Sequence, residues 1–422
     1  HRAALTYQDT QDNSVRPQHL TRPNEFSLLS NWYNVNASIE SLALQVYSDW
    51  SDEFSTQLKV SNKDTANAAQ SFSDTLNDDK IGQACIRIVD TNSRCSRANS
   101  LWVGADAFRH NNQLSNETFT ADLEGEYLLE EHTVSFGVGY EKIDICNTFV
   151  PFSRGDWVFD SVDDYENQNA SFVSYSNAFT GNSDDAGASF SIKNFHAYLE
   201  DKWDITDTFW VNAGVRYEQI DTSGLIRNNA KFYDLYKFSN TNSLDGKSIV
   251  LPRVGFNWTV QDDLTLSGGI GRYYGGTPNV WISNSYSNDG QINVRANTSG
   301  VDRSNAMLNQ PPVGATLTPG DGDVNAIAPT FKLPSEWRAG LTVNYSADLG
   351  EYLGNNWDLE ASYMYVKQKD SVQWKEMYRE TLEVTTGPDG RNLYTGIEPD
   401  SSSERYDILL TNASDNGTRK TF

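Results

Sequence analysis

The most regular stretch of the chain, Phe195 to Tyr217, alternates in polarity. In its first arm Phe195, Ala197, Leu199 and Trp203 fall on one face, and His196, Tyr198, Glu200 and Lys202 on the other. A polar segment, Asp204-Ile-Thr-Asp-Thr, leads into a second arm with Phe209, Val211, Ala213, Val215 and Tyr217 on one face. Trp210, Asn212, Gly214, Arg216 and Glu218 lie opposite. Period-two alternation in two arms joined by polar residues predicts a β-hairpin. Arms of about ten residues, each with an aromatic near the turn, exceed the usual soluble strand of about five or six and suit tilted strands crossing a bilayer.

The design recurs four times. Leu42, Leu44 and Val46 are followed by Phe54, Thr56, Leu58 and Val60. Phe119 to Leu129 leads through Glu130-Glu131 into Val134, Phe136, Val138 and Tyr140. Val254, Phe256 and Trp258 precede Leu264, Leu266 and Ile270, and Trp337 to Tyr345 precedes Trp357 to Tyr365. The turns fall near 51, 130, 205, 261 and 350, whereas the connections between hairpins span roughly 65–115, 147–192, 223–247, 277–334 and 367–403. Those connections are rich in Asn, Ser, Asp, Gly and Pro, and far exceed the median of about four to six residues in compact domains. Short turns on one side and long loops on the other match outer-membrane barrels, with turns periplasmic and loops extracellular.

With partial strands near 1–8 and 404–422, about twelve strands are expected, the last opening at Tyr406-Asp-Ile-Leu-Leu-Thr-Asn. Phe422 resembles the terminal residue of many outer-membrane proteins, but Gly417-Thr-Arg-Lys-Thr makes a poor lipid-facing strand, so an interrupted strand is the expectation. A soluble sandwich, propeller or surface-layer protein is the competing architecture. A propeller would repeat at a fixed period, and these turns are unequally spaced. The fold class expected is therefore all-β, a transmembrane antiparallel β-barrel.

Composition agrees. No run approaches the roughly 20 apolar residues of a membrane-crossing helix, which excludes a helical membrane protein but not a barrel, whose alternation keeps the average polar. Hydrophobic content is 38% over 422 residues, with 21 Tyr, 19 Phe and 11 Trp. The net charge of −24 argues against nucleic-acid binding, which needs clustered Lys and Arg. The chain opens on His1-Arg-Ala-Ala-Leu without a signal-peptide pattern, as expected of a mature protein or a portion of one.

Particular segments carry a family likeness. Leu251-Pro-Arg-Val-Gly-Phe-Asn-Trp, followed by Leu264-Thr-Leu-Ser-Gly-Gly-Ile-Gly-Arg-Tyr-Tyr-Gly-Gly, resembles the barrel of a TonB-dependent outer-membrane receptor. The continuation from Thr277-Pro-Asn-Val-Trp-Ile, Glu131-His-Thr-Val-Ser-Phe-Gly-Val-Gly-Tyr-Glu, Asn147-Thr-Phe-Val-Pro-Phe-Ser-Arg-Gly and Leu410-Thr-Asn resemble the Oar-like branch. The likeness is distributed from about residue 37 onward. It implies a 22-stranded barrel occluded by an N-terminal plug and coupled to TonB. No plug or coupling box is visible, so residues 1–422 are expected to be a partial barrel domain. Its missing strands and plug would then lie outside this sequence.

No catalytic constellation is legible, and the chain is expected not to be an enzyme. The five histidines are scattered, and His196 reads as a polar wall residue. Gly268-Gly-Ile-Gly sits in a strand, not at a strand-to-helix turn, which rules against a phosphate loop. Gly320-Asp-Gly-Asp-Val-Asn offers hard oxygen ligands for calcium but lacks the spacing of a calcium-binding hand, so a solvated turn is expected; Asp160, Asp163 and Asp164 are read in the same way. No cofactor and no metal site is expected. Cys85 and Cys95 enclose a short polar loop and are disulfide candidates, while Cys146 lacks a partner and is expected to be packed or paired elsewhere. Trp157, Trp281, Tyr286 and Arg295 are the ligand-binding candidates, because aromatics and Arg dominate binding hot spots and aromatic faces suit sugars.

The expected role is uptake of a nutrient, whether iron chelate, oligosaccharide or peptide, through the Gram-negative outer membrane. TonB, the ligand and the lipid bilayer would be its partners, with no nucleic acid. The alternatives are an Oar-like protein of adhesion or secretion and a soluble β-rich carbohydrate-binding protein.

Overall fold

A computed structural model describes residues 1–20, 24–76, 80–88, 99–276, 279–382, 384–394 and 406–421. Twelve strands hydrogen-bond in chain order into one antiparallel sheet. They are β1 Arg2–Arg16, β2 Tyr33–Asp49, β3 Phe54–Ser71, β4 Asn112–Leu129, β5 His132–Phe149 and β6 Ala188–Thr206, then β7 Phe209–Gly224, β8 Lys247–Gln261, β9 Leu264–Tyr274, β10 Ser335–Ala347, β11 Trp357–Lys369 and β12 Thr418–Thr421. Turns at 50–53, 130–131, 207–208, 262–263 and 348–356 close the five hairpins, and the long connections all emerge at the opposite end. Among the described residues β1 and β12 each pair on one side only, so the sheet is an open wall. No helix among them is long and apolar enough to cross a membrane.

Register confirms the alternation. Val46, Leu58, Leu123, Val138, Ala197, Tyr217 and Val250 lie side by side in successive strands, a continuous apolar row across seven of them. Leu199, at 54% exposure, and Val215, at 45%, stand on the same outward face with no protein covering them. Large apolar side chains left bare in this way need an apolar solvent, which a bilayer supplies. Aromatics ring the turn end: Phe54 beside Tyr127, Trp203 stacked on His132, and Phe209 edge-on to Trp258. The opposite face is polar. Asp122, Gly139, His196 and Glu218 form one row, and the absent side chain of Gly139 lets Asp122 and His196 approach to 3.5 Å.

Two expectations are corrected. The arms are longer than ten residues, reaching 18 in β4 and β5 and 19 in β6. At about 3.3 Å per residue and a tilt near 45°, 18 residues rise about 40 Å, so the wall stands well clear of an apolar band of about 25 Å. The segment from Tyr406 is not the last wall strand. Its Ile408–Asn412 is a strand of a small sheet built by the connections, and Thr418–Thr421 pairs with β11 instead. Leu409 and Leu410 are both buried there, and a strand apolar on both faces belongs in a core, not in a wall with one wet side.

The connections fold on one another. Glu25–Ser27, Gln83–Arg87, Ser100–Gly104, Asp156–Phe159 and Phe172–Ser174 form a five-stranded sheet. Ser176–Ala178 pairs with Asn293–Arg295, and Asn325–Ile327, Ile408–Asn412 and Val372–Glu376 form a third unit. The main core lies where this cap meets the mouth of the wall. Phe190, Ile192, Ile220, Ile249 and Leu251 are buried there, against Phe232, Leu244, Ile282 and Tyr286. By period two, Phe190 and Ile192 share the face of His196, and Ile220 that of Glu218. The polarity of the inner face thus inverts towards the mouth. Phe190 stacks on Tyr286 at 4.3 Å, and Gly224, at φ +139°, makes room for both rings.

Candidate functional site

A roomy open space within the cap has two lobes, of about 990 and about 520 Å³, within or near the usual range for ligand cavities. Both lobes are lined by Val173, Arg295, Ala296, Thr298 and Asp323. Local patterning explains how the lining is presented. In the strand Asn293–Arg295, Val294 enters the core, so Asn293 and Arg295 face the cleft. In the helix Asn279–Ser287, Ile282 and Tyr286 are buried. Trp281 and Asn284, with Asn288 just past its end, share the other side at spacings of three and four and line the smaller lobe.

Most charges of the cleft are satisfied within the protein. Arg295 Nη2 lies 2.7 Å from Asp323 Oδ2, whose other oxygen accepts from the Tyr406 backbone N–H at 2.8 Å. Lys231, on the helix Ala230–Tyr236, pairs with Asp321. Arg303 donates to the Ser171 carbonyl at 2.8 Å. Asp321 and Asp323, read from sequence as part of a solvated turn, are therefore ion-paired residues of the cleft wall. Among the described residues no three His, Cys, Asp or Glu side chains are grouped as a metal site.

The structure separates the four predicted ligand residues. Trp281 and Arg295 line the cleft, and Trp281 stacks on Trp374 at 3.9 Å. Trp157, 1% exposed, is turned into the core of the five-stranded sheet, and Tyr286 is sealed against Phe190, so neither offers a face to a ligand. Both are core residues because the long connections hold cores of their own, which their polar composition concealed. Phe172, Lys231, Tyr378 and Tyr406, which sequence reasoning missed, also line the cleft. The density of Asn between 284 and 293 was the available signal. Cys85 is buried and disulfide-bonded, and Cys95 lies outside the described residues. Cys146 is free and exposed, 3.3 Å from Ser189 Oγ, neither packed nor paired as expected. Asp160 pairs with Arg87 at 2.8 Å, and hydrogen bonds from Ser161 and Asn169 hold the Asp164 carboxyl below its ordinary range.

A second polar cluster lies at one end of the central strands of the five-stranded sheet. Gln83 donates to Asp156 at 2.8 Å and accepts from Asn31 at 3.1 Å and from the Ala107 backbone N–H at 3.0 Å. Burial pushes the Asp156 carboxyl up to about 7, with the charge of Asp106 reinforcing it and the Gln83 hydrogen bond opposing it. Burial, aided by the Arg154 charge, drives the His110 imidazole down to about 3. Arg154 also clamps Asp74 at 2.6 and 3.0 Å, tying two connections together.

An open antiparallel wall, apolar outside and polar inside, beneath a folded cap, is the geometry against which known proteins can be compared. Residues 1–377 match the family model described as outer membrane beta barrel domain. The chain belongs to that family. It is an outer-membrane protein of Gram-negative type, and the bare apolar belt is its lipid-facing surface. Among solved structures, the outer membrane transporter YddB from Escherichia coli is similar at a TM-score of 0.54 and 13% identity, covering 97% of this chain and 41% of that one. The FrpB iron transporter from Neisseria meningitidis gives 0.48 and 12%, covering 99% and 46%, and the ferric-catecholate import receptor Fiu from E. coli K12 gives 0.45 and 11%, covering 93% and 50%. At these identities the likeness is one of fold. This barrel chain spans half or less of the length of each of these structures. No curated protein matches it.

Proposed function

We propose that this wall belongs to a TonB-dependent outer-membrane transporter that takes up a nutrient ligand through a plugged barrel. The observation that carries the reading is the cleft: a roomy space with mixed polar and aromatic lining, held in a folded cap on the loop side of a membrane wall. The barrel supplies a rigid frame, the cap selects, and no bond is broken. In this reading the wall is part of a 22-stranded barrel whose remaining strands and plug lie outside residues 1–422, because unpaired edges in lipid would leave backbone groups without partners. In this reading the disulfide of Cys85 staples the first long connection on the cell surface. An Oar-like role in adhesion or secretion is the alternative, and it predicts a cap that binds protein.

Uptake of labelled nutrient pools by cells with and without TonB tests the proposal. Loss of uptake on deleting either TonB or this gene is the expected result. Uptake indifferent to both deletions, or a native membrane form of only 422 residues, would overturn it.

A further inference from the structure

We infer that the smaller lobe is a binding subsite for a neutral oligosaccharide, on the amides of Asn284, Asn288, Asn293 and Asn325 and the ring of Trp281. This narrows the ligand class of the transport reading and rests on that reading for the ligand's fate. Among the described residues none of the four side-chain amides has a hydrogen-bond partner, although all four line one cavity. Each presents a carbonyl acceptor and a two-proton donor without charge. A sugar hydroxyl both donates and accepts, so a set of free carboxamides satisfies vicinal hydroxyls at either end of the bond.

The remaining chemistry of the lobe points the same way. Its two charged groups, Arg295 and Asp323, satisfy each other at 2.7 Å, so an anionic chelate or a charged peptide end finds no uncompensated partner. Trp281 is held in place by its stack on Trp374, and Tyr406 lies across the same space. Rigid rings of this kind fit the apolar C–H face of a pyranose while its hydroxyl edge meets the amides. A volume of about 520 Å³ lies within the ordinary range of ligand pockets and leaves room for a short oligosaccharide segment.

The test uses the full-length protein in detergent, titrated with gluco-, xylo-, manno- and galacto-configured neutral hexasaccharides, with penta-alanine and ferric tris(catecholate) as competitors. At least one hexasaccharide should bind. Trp281→Ala should weaken it about tenfold or more, and Asn284→Ala and Asn288→Ala about fivefold each. Trp50→Phe, at the turn end of the wall, should leave binding within about twofold. Because Trp281→Ala removes a packed ring, the two Asn variants provide the second readout. Failure of every hexasaccharide to bind overturns the inference. So does binding indifferent to Trp281 and both Asn residues, or displacement by penta-alanine or the ferric complex. Sugar binding without TonB-dependent uptake would refute transport and leave the subsite standing, while uptake without sugar binding would do the reverse.

Discussion

The same strands serve two solvents. In the lower wall, Leu199 and Val215 point outward and are bare, while His196 and Glu218 point inward. Six residues up β6 from His196, Phe190 lies on the inner face and is buried under the cap. Ile220 does the same one step above Glu218. The backbone and the pairing are unchanged across this boundary, and only what covers the inner face differs. Below, that face is polar and open; above, it packs against folded connections. Polarity along a barrel strand thus reports the neighbour at each height and not the strand itself.

That contrast can be broken most severely in the cap. Phe232→Ala removes a fully buried ring and should cost about 3–5 kcal/mol, opening the mouth while the wall stays paired. Limited proteolysis of the connections alongside heat-modified mobility of the barrel would show it. Simultaneous loss of both would mean that cap and wall are one cooperative unit.

Leu199→Arg should cost about 2–4 kcal/mol by placing a charge in lipid, whereas Glu200→Gln on the adjacent inner position should change stability little. Urea unfolding in vesicles measures both, and equal costs would contradict the assigned faces.

The cap should also respond to pH through opposed groups. His110, held neutral down to about pH 3, contributes stability that is complete above its unfolded value near 6.5 and is lost as pH falls. Asp156 contributes stability that is complete below the ordinary carboxylate range and is lost as pH rises through about 7. Between about pH 4 and 6.5 the two slopes oppose each other. Asp156→Asn should therefore leave a cap that gains stability from pH 4 to 6.5, and His110→Asn one that loses it from pH 4 to 7, each by on the order of 2 kcal/mol. Denaturant midpoints read from tryptophan fluorescence of the cap would check the signs.

The smallest effect belongs to the inner wall, where the half-buried Arg216 donates from Nε to the buried Glu218 carboxylate at 2.8 Å. Arg216→Ala should cost about 1–2 kcal/mol by leaving the Glu218 carboxylate without its partner, and no measurable loss in the same urea assay would mean that this face is open to water.

The wall was legible because period-two alternation is a local property, and the turn positions near 51, 130, 205, 261 and 350 followed from it. The cap was not, because its strands are short and their partners lie far away. Ser176–Ala178 pairs with residues more than a hundred positions on, and Asn325–Ile327 with Ile408–Leu410. Such pairings leave no periodic trace in a three-residue segment. The same limit governed the site: Trp157 and Trp281 look alike in a loop, and only packing turned one into the core and the other towards the cleft.

By itself, then, the sequence determined the hairpins, their two faces and the membrane setting, since alternating side chains must sort between lipid and water. The tertiary structure alone decided where the strands end, which loops pair, and that Asn284, Asn288, Asn293 and Asn325 share one cavity. Those outcomes depend on contacts between distant segments, each buried only once the others are in place.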